Sequence, residues 1–512
     1  MASEWTINVL LPTGRCQAVA LPPSANVREL SCLVPEGMAP LRLSHGGIDL
    51  DPTVSLEVAG LANGDTVSGM MAPLTMEFNV ALLSGCSTKI QANQLMSVQE
   101  VRAAAQKHFQ EGCLQLVTHE GLPLEPKMPL HIAGVKDGDS LTAIVQPVGL
   151  AATGSAFAFW RLGGRVVTWG DPSAGGDTSQ EVQDQLGCVQ QVVGSLRSFA
   201  AILTDGRVVT WGNTVGGGSI FGKEHQLKDV KQICATEDGA FAALCSTGHV
   251  VTWGQPAFGG DSSSVQCHLN DVKQISSTPQ AFAAIRADGS LVTWGHHIAG
   301  GESMEVQGRL IHVQQVCGSQ RAFAAIVEGG QVVTWGRRDI DFGADSESVQ
   351  DQLKDVRQIC GSRRAFAAIL GNGSVVTWGD PGYGGDSSSI RDELRNVQSI
   401  VSNSRAFTAL RQDGSIVTWG DASFGGDSSE VQDRLKLVQR VCATSRAFVA
   451  VLADGSMVPW GDAFCGGKFP SDFDPTSKVR EIAASTTSFA AVLATGEVIT
   501  WGTCKGTDLS IQ

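Results

Sequence analysis

The chain has 512 residues, enough to bury a large core, and its 37 Lys and Arg against 51 Asp and Glu give a formal charge of −14. That balance argues against a general affinity for phosphate backbones or anionic lipid, while leaving room for a local basic face. Sixty glycines beside one tyrosine, without a Gly-X-Y period, call for many tight turns and exclude collagen.

The opening "MASEWTINVLLPTG" has no basic region ahead of a long apolar run, so it does not read as a signal peptide. No apolar run is long enough to span a bilayer. Thirteen cysteines lie scattered with no C-x-x-C pair, which predicts reduced thiols and a cytoplasmic or nuclear protein rather than a disulfide framework.

Residues 1–73 and 74–148 are expected to form two domains, because one pattern occurs in both. "WTINVLLPTGRCQAVALPPSANVRELSCLV" and "MEFNVALLSGCSTKIQANQLMSVQEVRAAAQKHF" each open with an alternating strand, a Gly-containing turn and a second strand, then a helical stretch. Val98, Val101, Ala105 and Phe109 fall at helical spacing, and Ser97 with Glu100 makes a capping box. Short strands follow, and each copy closes through a Gly-Asp turn (Gly64-Asp65, Gly138-Asp139) into a last apolar strand.

This β-β-α-β-β order resembles ubiquitin over roughly residues 4–71 and 76–146, which implies two α+β domains of the β-grasp type. Conjugated modifiers of that family end in an exposed Gly-Gly tail, whereas these copies run on into "SGMMAPLTMEF" and "AIVQPVGLAATG". The resemblance therefore implies built-in docking modules for ubiquitin-pathway machinery. It places the hydrophobic docking patch near Leu43 in the first copy and Val117 in the second, although both residue types equally suit a core strand.

From residue 156 onward the chain is periodic, and residues 149–512 are expected to form a repeat array. Trp169, Trp211, Trp253, Trp294, Trp335, Trp378, Trp419, Trp460 and Trp501 each precede a glycine, at spacings of 41 to 43 residues. Such self-similarity marks a repeat architecture. In "AFAAIRADGSLVTWG" two strands meet through Asp-Gly, a pair suited to the positive φ angles of a hairpin turn. Phe282 and Ala284 fall on one face, Ala283 and Ile285 on the other. A strand apolar on both faces must be covered on both, as in stacked blade-like sheets. Each Trp-Gly corner then reads as the wedge that locks one unit to the next. Cys234, Cys317, Cys360 and Cys442 share a repeat place with Val193, Val401 and Ala483, so cysteine serves there as a small buried hydrophobe.

The array resembles the regulator-of-chromosome-condensation repeat, most fully in "QICGSRRAFAAILGNGSVVTWGDPGYGG", over about residues 154–504. The resemblance implies a mainly β, propeller-like array. Short units imply blades of three strands, about eight to nine of them, in a closed ring or an open spiral. The first hairpin lacks a normal preceding strand and is a candidate to close a ring against the final unit. The family's His-Thr before the inner apolar strand is here Arg364-Ala365, and its Gly-Gln-Leu-Gly segment is Gly384-Gly385-Asp386.

No residue pattern reads as catalytic, as a metal site or as a cofactor or phosphate-binding loop. Cys504 has no activating neighbours in sequence. The recurring Gly-Gly-Asp-Ser-Ser suits a capped turn better than a calcium loop, which needs more carboxylates. Arg197, Arg321, Arg364, Arg405 and Arg446 recur just ahead of the "AF" strand. Asp177, Asp261, Asp345, Asp386 and Asp427, with Glu302, recur elsewhere in the unit. Either the arginines line a rim for an acidic protein partner, or each pairs with a nearby acid at little net gain. The expected function is a non-enzymatic scaffold of the ubiquitin pathway whose array holds a protein client. The alternatives are the substrate-recognition part of a ubiquitin ligase, since similar arrays occur beside HECT domains (none is present here), and a nucleotide exchange factor for a small GTPase. Neither direct nucleic-acid binding nor a membrane span is expected.

Overall fold

The computed structural model describes residues 4–11, 15–33, 41–71, 75–109, 114–145, 147–161, 165–338, 342–471, 473–503 and 509–510. Cys504 lies outside them. The chain divides into two units, one ending at Val145 and one running from Gln146 to the C-terminus.

In the first unit, Trp5–Leu10 is flanked by antiparallel Cys16–Leu21 and parallel Thr66–Met71, with Leu41–His45 and Ile48–Asp49 beyond. Asn26 caps the helix Val27–Cys32 by accepting from the Glu29 amide at 2.9 Å. The second sheet repeats the central parallel pair, with Thr75–Leu82 beside Ser140–Val145, flanked by Ser87–Asn93 and Leu114–Val117. Its helix, Val98–Phe109, begins with the expected capping box. The Ser97 hydroxyl accepts from the Glu100 amide at 3.3 Å, and Glu100 accepts from the Ser97 amide at 2.7 Å. Val98, Val101 and Ala105 are buried against the sheet.

The second unit contains, among the described residues, nine sheets arranged like propeller blades. Eight have three antiparallel strands, and the ninth gains a fourth from Leu509–Ser510. The sixth blade is typical, with Val356–Gly361 innermost, Ala365–Leu370 in the middle and Val375–Gly379 outermost. Middle strands carry apolar residues on both faces because each lies between two neighbours. In the fourth blade Ala281, Ala283 and Ile285 pack against Phe323, Ala325 and Trp335 of the fifth. Phe282 and Ala284 pack backwards against Ala240, Ala242 and Leu244 of the third. Alanine keeps the sheets close, and the aromatic pair fills the wedge between them. Phe323 and Trp335 stack with centroids 5.2 Å apart.

The tryptophans fasten the blades as well as filling space. All nine are at least nine-tenths buried. Trp253, Trp294, Trp335, Trp378, Trp419, Trp460 and Trp501 each donate Nε1–H, at 3.0 Å, to a glycine carbonyl in the connector that arrives from the preceding blade. Trp169 instead donates to the Thr500 hydroxyl of the ninth blade. Phe157, Phe159 and Trp169 pack there against Ala490, Val492 and Val498, so the ring is closed. The first blade does have an inner strand, Val148–Ala152, contrary to the reading that it lacks one. That strand also moves the start of the array one residue ahead of the expected 149.

The hairpin turns depart from expectation in one respect. Only the glycine takes positive φ, as at Gly289 (+80°), while Asp288 accepts from the Ser290 amide at 2.9 Å. The hydroxyls of Ser290, Ser415 and Ser456, and after them the amides of the same serines, hold the turn carboxylates of Asp288, Asp413 and Asp454 below their ordinary value. A carboxyl whose pKa is lowered on folding adds stability above its unfolded value, about 3.9, and loses it as pH falls through the folded value. Thermal midpoints measured from pH 7 down to 2 are therefore expected to hold near pH 5 and drop below pH ~4. A midpoint that fell steeply between pH 7 and 5 would contradict this.

The repeat cysteines lie between blades, where burial raises their thiols; Cys317 is pushed up to about 12 and Cys442 to about 11. All ten described cysteines with placed side chains are free thiols. Brief iodoacetamide treatment of the native protein is expected to label exposed Cys16, Cys86, Cys188 and Cys267 well before Cys317 or Cys360. Peptide mass mapping reads the order, and early labelling of Cys317 would contradict the packing.

Candidate functional site on the Trp-Gly face

Within each blade the middle strand starts, and the outer strand ends, on the same face, since Ala365 pairs with Gly379 and Phe366 with Trp378. The loops from inner to middle strands open there too and surround a central well of about 1090 Å³. One wall position is always small: Ala152, Gly194, Ala235, Ser277, Gly318, Gly361, Ser402, Ala443 and Ala484 all line it. Small side chains let nine inner strands converge on one axis.

The loops are tied to one another around the mouth. Successive backbone amides donate to the next loop's carbonyl: Gly154 to Leu196, Leu196 to Glu237 and Asp238 to Pro279, then Gln320 to Arg363, Arg363 to Ser404, Ser404 to Ser445 and Ser445 to Thr486. Thr486 donates to Gly154 at 3.2 Å and completes the circle. The one gap follows Pro279, which has no N–H to give. Glu237 projects at this mouth, where desolvation by the surrounding loops raises its carboxyl, helped by Asp238 and opposed by Arg363.

Outside the mouth lies the arginine position. Arg364, Arg405 and Arg446 each contact the aspartate that follows their own blade's Trp-Gly corner: Asp380 at 3.4 Å, Asp421 at 3.4 Å and Asp462 at 3.2 Å. Burial alone would raise Asp421, but bonds from Ser423 and the charge of Arg405 bring it below its ordinary value. Each guanidinium also stacks on the aromatic residue of a connector. Arg321 and Arg364 flank Phe342 at 5.5 and 4.9 Å, Arg364 and Arg405 flank Tyr383 at 5.0 and 4.7 Å, and Arg405 and Arg446 flank Phe424 at 5.0 and 4.6 Å. Cations and rings thus alternate across the fifth to eighth blades. Arg197 stands apart from this arc, with Asn213 rather than aspartate after its corner. Its charge helps lower Asp171 of the first blade, after the larger effect of Ser173.

Of the two readings left open for the arginines, pairing with a nearby acid is seen at Arg364, Arg405 and Arg446. The stacking aromatics went unnoticed in the sequence. The signal was present in "WGDPGYGG" and "WGDASFGG", where aspartate follows the corner and an aromatic precedes the paired glycines. The second acidic set is also placed. Asp261, Asp386 and Asp427 are exposed and accept amides two residues on, at 2.9 Å, as turn caps. Beside Asp386, the Ser387 hydroxyl meets Thr377 of the outer strand, so these acids follow the perimeter.

The two candidates in the first unit do not offer their side chains to a partner. Leu43 is 2% exposed and packs with Val9 and Val67, and Val117 is 5% exposed. Leu43 occupies the inward set of its strand, alternating with exposed Arg42. Among the described residues no group of three or more His, Cys, Asp or Glu is placed to hold a metal ion, and no helix is long and apolar enough to cross a membrane.

Neither a protein-family model nor a curated protein matches the sequence. Among solved structures the chain is similar to Prp20p of Saccharomyces cerevisiae, described with its binding to Gsp1p and histones, at 14% identity over 70% of this chain and 94% of that one, TM-score 0.39. It is similar also to yeast RCC1 (Prp20) bound to Kap60, at 18% identity over 45% and 70% of the two chains, TM-score 0.32. The computationally designed protein Ika8 is similar at 13% identity over 61% and 96%, TM-score 0.33.

Proposed function

We propose that the chain is a non-enzymatic interaction scaffold whose array holds a protein client on its Trp-Gly face. The two N-terminal sheets, read as ubiquitin-like, dock on ubiquitin-pathway machinery. The observation that carries the reading is the row of half-buried guanidiniums held between aromatic rings across adjacent blades. Arginine and aromatic side chains at fixed positions are the residue types that dominate protein interfaces. Held against one another in this way, they reach a partner without the ordering cost that free side chains would incur.

Affinity capture with the full chain, and with chains whose array or N-terminal face has been altered by surface substitutions, tests the reading. Ligase or proteasome subunits lost only with the N-terminal changes support the docking role. A nucleotide-free GTPase lost with the array changes would replace the scaffold by an exchange factor. Turnover of a substrate by the purified chain alone would end the proposal.

A further inference from the structure

Resting on the scaffold reading, we infer that the arginine–aromatic arc of the fifth to eighth blades is a docking track for an acidic, extended segment of a protein partner.

Charge supplies the first argument. In a chain of net charge −14, this arc gathers arginines: at its repeated positions Arg321, Arg364, Arg405 and Arg446 stand against Asp380, Asp421 and Asp462, because the fifth blade has Arg337 where the next three have aspartate. Arg321 consequently has no aspartate after its own corner, and it stacks on Phe342 instead.

Geometry supplies the second. Two rings lie within about 5 Å of the guanidinium carbon of Arg364 and of Arg405, whereas a guanidinium donates through its in-plane edge. Each of these arginines spends one edge contact on its own aspartate, at 3.4 Å, and no other carboxylate among the described residues is in contact with it. The side chains of Arg364, Arg405 and Arg446 remain 30%, 41% and 44% exposed. Part of each guanidinium is therefore open to solvent on a side chain already held between rings, which lowers the entropic cost of capturing an anion.

Spacing supplies the third, and it selects the kind of partner. With a shared ring about 5 Å from each guanidinium, neighbouring arginines stand no more than about 10 Å apart. An extended peptide advances about 3.1–3.4 Å per residue, so carboxylates at every second or third position meet successive arginines. Globular acidic surfaces have no such constraint.

The test uses the intact protein and a fluorescein-labelled twelve-residue probe with Glu at every third position. Two controls accompany it: the same peptide with Gln for Glu, and a twelve-nucleotide oligo-dT. Anisotropy at moderate salt is expected to show binding of the Glu peptide, weakened at least tenfold by Gln substitution in the probe and by R364Q/R405Q in the protein. Tyr383→Leu keeps every charge but removes the ring shared by two arginines, and is expected to weaken binding several-fold. Asp421→Asn frees an edge of Arg405 and is expected to tighten it. Melting curves of the variants guard against misfolding.

Equal binding by Y383L and the parent, looser binding by D421N, or tighter binding of oligo-dT than of the Glu peptide would each overturn the inference. If the Glu peptide fails to bind while the array still captures a protein client, the track is wrong and the scaffold stands. If neither binds, both fall.

Discussion

Trp378→Ala is expected to destabilise the array by about 3–5 kcal/mol, with the loss read as a shift of the denaturation midpoint. The indole is 2% exposed and stacks on Phe366 at 5.3 Å. Across the blade junction it lies among Ala322, Ala324 and Ile326 of the fifth blade. Its Nε1–H also satisfies the Gly343 carbonyl at 3.0 Å. Truncation thus opens a cavity between two sheets and strips a buried acceptor of its donor, and the second effect adds about 1–3 kcal/mol where no water replaces it. In stacked repeats stability is shared through neighbour interfaces, so one lost wedge weakens two blades together. A cost below about 1 kcal/mol, the level of an ordinary surface change, would contradict the role assigned to the tryptophans.

The second large effect is expected at the paired glycines. Gly384 has φ +86°, and a Cβ built there would lie 2.6 Å from Phe407 Cδ2 and 2.9 Å from its Cε2. Gly384→Ala therefore carries the left-handed backbone cost, about 1–2 kcal/mol, together with an overpacking cost of about 1–3 kcal/mol. Gly222 provides the comparison, because its φ is +79° but nothing lies within 4 Å of such a Cβ. Gly222→Ala is expected to show the backbone cost alone. If the two variants melted together, the close approach of connector to aromatic pair would be irrelevant to stability.

Much of the array was legible in the sequence because its physics is periodic. Alternation assigned Phe282 and Ala284 to one junction and Ala283 and Ile285 to the other, and the packing clusters divide them the same way. The inner strand of the first blade escaped notice because "VGLAATG" shares almost nothing with the repeat. Gly149 is fitted instead to Trp160, whose ring would lie 2.2 Å from a Cβ at that position. Ring closure was legible only as one of two outcomes, since what decides it is Trp169 reaching Thr500, 331 residues away.

The candidate site was only partly legible. Repetition exposed the arginine position, but which charge or ring each arginine meets is decided by the connector arriving from the neighbouring blade, and sequence order does not reveal that meeting. In the first unit, resemblance placed the docking patch near Leu43, whose own side chain packs inward with Val9 and Val67.

Hydrogen exchange followed by mass spectrometry tests the closed, indole-fastened ring most directly. The account predicts that Ala156–Arg161 of the first blade and Ser488–Leu493 of the ninth exchange as slowly as Ala365–Leu370 in the middle of the array. Rapid exchange confined to the first and ninth blades would instead describe an open stack with frayed ends, and would contradict the continuous face on which the proposed function depends.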